Sequence, residues 1–427
     1  MSKSMKYYNI FRRFCAFLLG AVFLLSGILK LMDPVGTGFI MKSYLAFLHL
    51  GFLDGAAVVF GESFAFAEAI IGAALMSGVW RKATGIATCV LTAFFTLLTL
   101  ILLIFNPAMD CGCFGEALHL THSQTFIKNL ILCALCCFAF IPMKELDKPV
   151  KVKYVSFAIA ACSLVALATY SMIGLPMKDY TAFKTGTPLQ GAEDAETGEF
   201  AEPEFIYEKN GVQKAFSLED LPDSSWTFVD SRIASGGFNS GAVLSLTDAE
   251  GKYCDTVPLL GDVVAVSVYR PLSEKRFCGI LKVLEDAAGE GFKPLLLVAS
   301  DDFLPQGALE GVWEGCDLAQ TADSSLAAEA HPADSSLASQ APTPLKAITY
   351  YSDYKTLATL NRSNGGVTFL SDGTIVQKWS YTLRPSAEDL AAAKTEDPVT
   401  LAVENQSHGS LALQGFLLYV FAVLLLL

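Results

Sequence analysis

The sequence predicts a helical membrane bundle followed by an α/β soluble domain, on three observations. Apolar stretches, each near the roughly 20 residues that a bilayer span needs, crowd residues 1–174. Only 17% of the 427 residues are charged and 52% are hydrophobic, whereas a soluble chain averages about 25% charged. The second half then alternates strand and helix signals, the mark of a layered α/β domain. These numbers exclude a disordered or fibrous protein and argue against a wholly soluble one. Length allows about two or three domains.

Five stretches read as spans in the first half: Phe14–Met32, Ser63–Trp80, Thr84–Phe105, Phe126–Ile141 and Tyr154–Ile173. A sixth runs Ser410–Leu427. A signal-peptide reading of the first stretch lacks a small-residue cleavage site. Gly38–Gly61 is apolar but broken by Lys42, His49 and Asp54, which reads as an outer-face amphipathic helix plus a turn.

Basic residues set the expected orientation. Lys3, Lys6, Arg12 and Arg13 precede the first span, Arg81 and Lys82 follow the second, and Lys144, Lys148, Lys151 and Lys153 precede the fifth. Simple alternation puts all three groups on one side, which the positive-inside rule makes cytoplasmic. The loops 33–62 and 106–124 and the large soluble domain then lie on the other side. This predicts a multi-pass membrane protein with an extracytoplasmic domain. Residues 1–174 carry a balance of +5 and residues 175–427 a balance of −18. So acidic a second half is a poor partner for nucleic acid; membrane lipid is the expected surroundings of the first.

The expected organisation is a membrane module over 1–149, a fifth span in 150–174, an acidic entry segment with a hairpin in 175–240, the soluble domain over 241–400 and a last span in 409–427. The entry hairpin is Glu204–Phe216, turning at Asn210-Gly211, a strong hairpin dipeptide. A second hairpin is expected over Leu244–Val257, turning near Glu250-Gly251. Strands follow at Val263–Tyr269, Pro294–Ala299, Ala347–Tyr351, Gly366–Leu370 and Thr374–Trp379, with helices at Glu274–Ala288, Tyr354–Leu360 and Ala387–Ala393. Residues 321–344 repeat Ala-Asp-Ser-Ser-Leu-Ala and are rich in Ala, Ser and Pro, a flexible surface insertion.

Chemistry concentrates where the third span leaves the membrane, at Asp110-Cys111-Gly112-Cys113-Phe114-Gly115. Two cysteines one residue apart can close a strained, exposed and therefore labile disulfide. Redox chemistry fits, and so does a purely structural loop disulfide or a pair of free thiols. Asp110 opposes thiolate formation. A third reading takes Cys111, Cys113, His119 and His122 as zinc or copper ligands, at a spacing that is not a standard finger. Cys133, Cys136 and Cys137 share a face of the fourth span by i, i+3, i+4 spacing and read as small packing residues, as do Cys15, Cys89 and Cys162. Glu68 inside the second span is costly to bury. Lys30 and Asp33 end the first span on the same side, so Lys30 and Glu68 either pair structurally or flank a small-molecule site. In the soluble half Cys254, Cys278 and Cys316 form no C-x-x-C, and an odd number leaves at least one unpaired.

Ser26-Gly27-Ile28-Leu29-Lys30-Leu31-Met32-Asp33-Pro34, Glu68 and the D-C-G-C-F-G segment together resemble the DoxX superfamily, in particular its methylamine-utilisation MauE branch. The resemblance covers roughly residues 10–142. It implies a four-helix membrane module linked to disulfide formation or thiol transfer during maturation of exported proteins. By position it makes Cys111 and Cys113 the redox pair and Lys30 and Glu68 recurring polar positions. The soluble half is similar to membrane-tethered thioredoxin-like domains, from the hairpin through VVAVSVY to GGVTFLSDGTIVQKW. It departs from them in two places. The expected C-x-x-C site reads Arg270-Pro271-Leu272-Ser273-Glu274, with Cys278 about a turn later. Gly365-Gly366 stands where a cis-proline is expected. The resemblance thus implies a degenerate thioredoxin fold kept for docking. The layout resembles uncharacterised DoxX-like membrane proteins of Bacteroidetes-type bacteria.

Three functions follow as expectations. The first is a redox membrane protein whose Cys111 and Cys113 exchange disulfides with an exported client or an extracytoplasmic thioredoxin. The second is a non-enzymatic assembly factor that binds an exported client. The third is a small-molecule or ion carrier using Glu68 and Lys30. No motif assigns a cofactor; a quinone or a thioredoxin is a compatible redox partner.

Overall fold

The structure is a computed structural model that describes residues 3–107, 109, 111–143, 153–189, 203–209, 212–217, 222, 225–233, 242–309 and 345–426. The insertion 321–344, most of the acidic entry stretch, Asp110, Asn210-Gly211, Cys316 and the lysines at 144, 148 and 151 lie outside these residues. The chain divides into two compact units, Met1–Tyr180 with His408–Leu427, and Thr181–Ser407.

The first unit is helical. Helix α1 (Lys3–Leu31) is followed by α2 (Pro34–Phe47), a 3-10 turn (Gly51–Ala56), α3 (Ala57–Ser77), α4 (Arg81–Phe105), a short strand β1 (Cys113–Glu116), α5 (His122–Phe140) and α6 (Tyr154–Ile173). Helix α10 (Pro398–Leu426) completes the set. Among the described residues, six helical segments are long and apolar enough to cross a membrane. The 34–56 region is a helix and a turn, as its broken apolar pattern predicts. The chain re-enters helix at Ala57, six residues before the expected Ser63, because polar Glu62 is accommodated inside the helix rather than before it. The last helix begins at Pro398, well before Ser410; its polar first turns mask the start in a hydropathy reading.

Local chemistry sets the ends. Asp33 accepts from the Gly36 amide at 2.9 Å and Pro34 fills the first helical position of α2, where its missing N–H costs nothing. Thr121 and Gln124 form a reciprocal capping box at the start of α5, which pairs two backbone donors that would otherwise lack partners.

Helices α1 and α3 pack closely through small residues. A Cβ on Gly27 would meet the Ala69 nitrogen at 2.5 Å and the Ala65 oxygen at 2.7 Å. Small side chains let two backbones approach closely where bilayer lipid offers no hydrophobic drive. Around this seam Leu24, Ile28 and Leu31 of α1 bury against Ala65, Ala69 and Ala73 of α3, with Leu164 of α6 and Val420 of α10. A second cluster joins Cys15, Leu19 and Phe23 of α1 to Leu132, Cys136 and Phe140 of α5. Buried Arg12 donates to the Ala139 and Pro142 carbonyls at 3.0 and 3.2 Å. Trp80 stacks edge-on against Tyr154 and Phe157. The basic segments that start α1 and α4 therefore lie at the same end of the bundle as the end of α5 and the start of α6.

The second unit holds two sheets. Strand β2 (Pro203–Lys209) pairs antiparallel with β3 (Val212–Ser217), as the Asn-Gly signal predicts, and also with β4 (Thr227–Ile233). The third strand lacked a sequence signal, because no turn dipeptide precedes it. The larger sheet has the order β7-β6-β5-β8-β9, from β5 (Asp262–Val268), β6 (Lys293–Val298), β7 (Thr349–Tyr351), β8 (Gly366–Ser371) and β9 (Thr374–Trp379). Strands β5, β6 and β7 are parallel, and β8 and β9 antiparallel. Central β5 is buried on both faces, which explains its unbroken apolar run. Helix α7 (Glu274–Gly289) covers it with Phe277, Ile280, Val283 and Leu284. Helices α8 (Tyr354–Leu360) and α9 (Ala387–Thr395) complete the unit. Asp372 and Gly373 both take positive φ, 43° and 73°, the tight hairpin turn matched to strand twist.

The second expected hairpin is reduced to its turn, with Thr247 paired antiparallel to Tyr253 across Glu250-Gly251. Residues 244–257 make a turn closed by the Asp248 amide on the Lys252 carbonyl and isolated bridges at Thr247. The Asp248 carboxylate draws the Glu250 and Lys252 amides onto itself, so the segment curls instead of extending a ladder.

Candidate functional site

The site is built where α1, α2, α3 and α5 meet the 111–116 loop. Ser26 and Lys30 lie four residues apart and share one face of α1. The Gly27–Ala69 seam brings that face onto Glu68 of α3. Lys30 Nζ lies 2.6 Å from Glu68 Oε2, with the side chains 13% and 6% exposed. Ser26 Oγ is 3.1 Å from the same carboxylate oxygen and 2.6 Å from the Cys113 carbonyl. Its one hydroxyl hydrogen reaches either acceptor and ties the loop to the ion pair. Lys30 Nζ also stands 5.7 Å from the centre of the Phe95 ring. The pairing expected of Lys30 and Glu68 is thus present. Asp33 is buried too, but its carboxylate caps α2. Glu62, further back on α3, buries both carboxylate oxygens without a hydrogen bond.

The cysteine loop is fixed from three sides. Tyr44 of α2 donates to the Cys111 carbonyl at 2.7 Å. Burial pushes the Tyr44 phenol up, and negative charge on Cys113, Cys111 and Glu68 acts in the same direction, so the phenol stays a donor. Gly112 has φ 57° and a Cβ there would collide with Ile40. Only glycine fits a left-handed residue pressed that closely on a neighbour.

The decisive contact lies on the third side. Cys111 Sγ is 2.9 Å from His122 Nδ1, and His122 Nε2 is 2.9 Å from the Pro107 carbonyl. A carbonyl only accepts, so Nε2 carries the hydrogen and Nδ1 presents its lone pair to the thiol. This is a nucleophile, a base and an orienting group in series, the arrangement that activates a thiol. Cys111 is buried at 3% exposure, Cys113 is intermediate, and both are thiols. The sequence offered His122 as a candidate metal ligand. Its signal was the Thr121-x-x-Gln124 box, which starts a helix on the residue before His122 and returns its side chain to the loop. Among the described residues no three His, Cys, Asp or Glu side chains gather as a metal site.

The other cysteines separate. Cys133 and Cys136 face α4, where Thr96 Oγ1 and Thr92 Oγ1 lie 3.2 and 3.6 Å from their sulfurs. Cys137, on the same helix, is exposed. In the second unit Cys278 is disulfide-bonded and Cys254 is a thiol. At the end of β5, Asn364 accepts from the Tyr269 and Arg270 amides and donates to the Arg270 carbonyl. It clamps the 270–274 loop to the segment before β8, and no cysteine pair stands there.

A cavity of about 480 Å³ opens from this site. Cys111, Gly112, Cys113, Lys30, Glu68 and Tyr44 line its polar end, and its remaining wall is mainly apolar. Residues 8–142 match the family described as Methylamine utilisation protein MauE. The match spans α1 to α5 and contains the whole site. Residues 201–233, which include the three-stranded sheet, match a domain of unknown function, DUF8463. Comparison of the chain with curated proteins and with solved structures finds no match.

Proposed function

We propose that this multi-pass membrane protein is a thiol–disulfide redox factor for the maturation of exported proteins, with Cys111 and Cys113 as its working pair. The Cys111–His122–Pro107 series carries the proposal. His122 Nδ1 takes the Cys111 thiol proton. The thiolate attacks one sulfur of a client disulfide, that S–S bond breaks, and a mixed disulfide forms. Cys113 then attacks the Cys111 sulfur, releasing the client dithiol and closing Cys111–Cys113. The reverse sequence oxidises a client instead.

The MauE-like match over 8–142 supports this reading, since that family is named for methylamine utilisation. The clustering of α1, α3 and α5 around the loop supports a four-helix module of the DoxX type. We place the protein in a bacterial inner membrane with the cysteine loop and the second unit on the extracytoplasmic side, because the basic helix ends gather opposite the loop. The second unit serves as a thioredoxin-like docking domain for an exported client or an extracytoplasmic thioredoxin. Its parallel β5-β6 pair and antiparallel β8-β9 hairpin support that fold, and the Arg270–Glu274 loop gives it no dithiol of its own.

Trapping tests this. With Cys113→Ser, the Cys111 mixed disulfide cannot resolve, and a covalent client adduct, cleaved by reductant, is expected on non-reducing gels. Adduct formation that persists in Cys111→Ser, or none from either variant, contradicts the assignment. A protein whose role survives both substitutions is an assembly factor without thiol chemistry.

A further inference from the structure

We propose that the cavity beside Cys111 and Cys113 is a binding site for a membrane-borne quinone, the two-electron acceptor that reoxidises the cysteine pair. This rests on the redox reading above, in its client-oxidising direction, and names its oxidant.

The shape of the cavity carries the inference. At about 480 Å³ it falls within the roughly 300–1,000 Å³ of small-molecule sites. Its outer wall includes Phe60 and Phe64 of α3 and Phe94 and Leu97 of α4, each more than a third exposed. Both helices are candidate spans, so these side chains face lipid and the entrance is lateral. Phe64 and Phe94 stack in parallel at 6.2 Å across that entrance. A ligand arriving this way is lipid-soluble, which excludes a peptide or a water-soluble oxidant.

The inner end fixes the class. A dithiol gives up two electrons and two protons together, and a quinone takes up both. Lys30 is a cationic donor suited to a carbonyl oxygen, and Glu68 an acceptor suited to the hydroxyl that replaces it. Phe95 and Tyr44 supply flat walls for a ring. The Lys30 charge is already balanced by Glu68 at 2.6 Å, which disfavours a phosphate head group. In the proposed step two S–H bonds break and one S–S bond forms between Cys111 and Cys113. The two electrons and two protons reduce the quinone carbonyls to the hydroquinone, with the Cys111 proton passing through His122.

The test uses the full-length protein, reduced and held anaerobically in phosphatidylcholine–phosphatidylglycerol nanodiscs. Two oxidants are added separately: decylubiquinone, and oxidised glutathione as a water-soluble disulfide. Decylubiquinone is expected to yield one hydroquinone per protein by absorbance and to remove both maleimide tags from Cys111 and Cys113. In Leu98→Trp, which fills the cavity from α4, the quinone rate relative to that variant's own glutathione-disulfide rate should fall at least tenfold. An azidoquinone should crosslink within α3 or α4 of the Cys111→Ser, Cys113→Ser double variant, which reads binding without electron transfer. Oxidation by glutathione disulfide with no hydroquinone from decylubiquinone overturns the quinone site alone. Failure with both oxidants overturns the redox reading and this inference with it. Crosslinks confined to other helices, or a bound phospholipid that decylubiquinone does not displace, also overturn it.

Discussion

Removing the Lys30 charge is the sharpest test of how this site is held together. Lys30→Met keeps the length of the side chain and leaves Glu68 buried without its cation. At 2.6 Å the attraction is about 6 kcal/mol with an effective dielectric near 20. Desolvation of two ions that are mostly buried offsets much of that. Breaking a buried pair from one side typically costs about 3–5 kcal/mol, because the remaining charge has nowhere to go. Ser26 still reaches Glu68, so the lower part of that range is expected. Glu68→Gln should cost less, since Lys30 is the more exposed partner and its stem can carry the ammonium outward. The Lys30→Met, Glu68→Gln double variant should be more stable than the Lys30→Met single variant. A double-mutant cycle read by reversible denaturation in mixed micelles should give a coupling of about 2–3 kcal/mol, roughly 30- to 150-fold in the unfolding constant. A coupling below about 0.5 kcal/mol would mean that the two residues do not act as a pair.

Other expectations follow from the same geometry. His122→Ala removes the base beside Cys111 and should slow Cys111 alkylation by maleimide at neutral pH by about ten- to a hundredfold; an unchanged rate contradicts the hydrogen-bonded series. Gly72→Leu drives a side chain into the α1 backbone at Leu24 and should destabilise the helical unit by at least about 1–3 kcal/mol, the usual cost of overpacking; detergent-solubilised yield and melting report it. Asn364→Ala deletes the clamp on the 270–274 loop and should cost about 0.5–1.5 kcal/mol, the net worth of a hydrogen bond at a partly exposed site; denaturation of the full-length protein measures it, and a loss under about 0.3 kcal/mol argues against the clamp.

Much of the fold was legible because the membrane and the sheet both impose strong patterns. Spans declare themselves by length and hydropathy, and Val263–Tyr269 and Pro294–Ala299 declare themselves as buried strands by unbroken apolar runs. Helix starts were less legible. Glu62 and the polar residues 398–409 interrupt hydropathy without interrupting the helix, since a helix satisfies its own backbone whatever its side chains. The 244–257 hairpin stays short because Asp248 offers the backbone a competing acceptor, an effect that β-propensity does not register.

The candidate site was half legible. Cys111, Cys113, Lys30 and Glu68 stood out as unusual residues for their surroundings. Their convergence depended on Gly27 meeting Ala69, and a single sequence contains no record of which helices touch. His122 was visible, but its partners were not, because the Pro107 carbonyl and the Cys111 sulfur reach its ring only in the folded chain. Tyr44 and the cavity are products of tertiary packing alone.

The thiol state of Cys111 and Cys113 in native membranes tests the central claim most directly. Mass-tagged maleimide would be applied across a series of glutathione redox buffers, to the wild type and to each Cys→Ser variant. The redox assignment predicts that both thiols disappear together, in one two-electron transition, and return on reduction. Thiols that stay reduced across the series, or that disappear from the wild type in two separate steps, would contradict it.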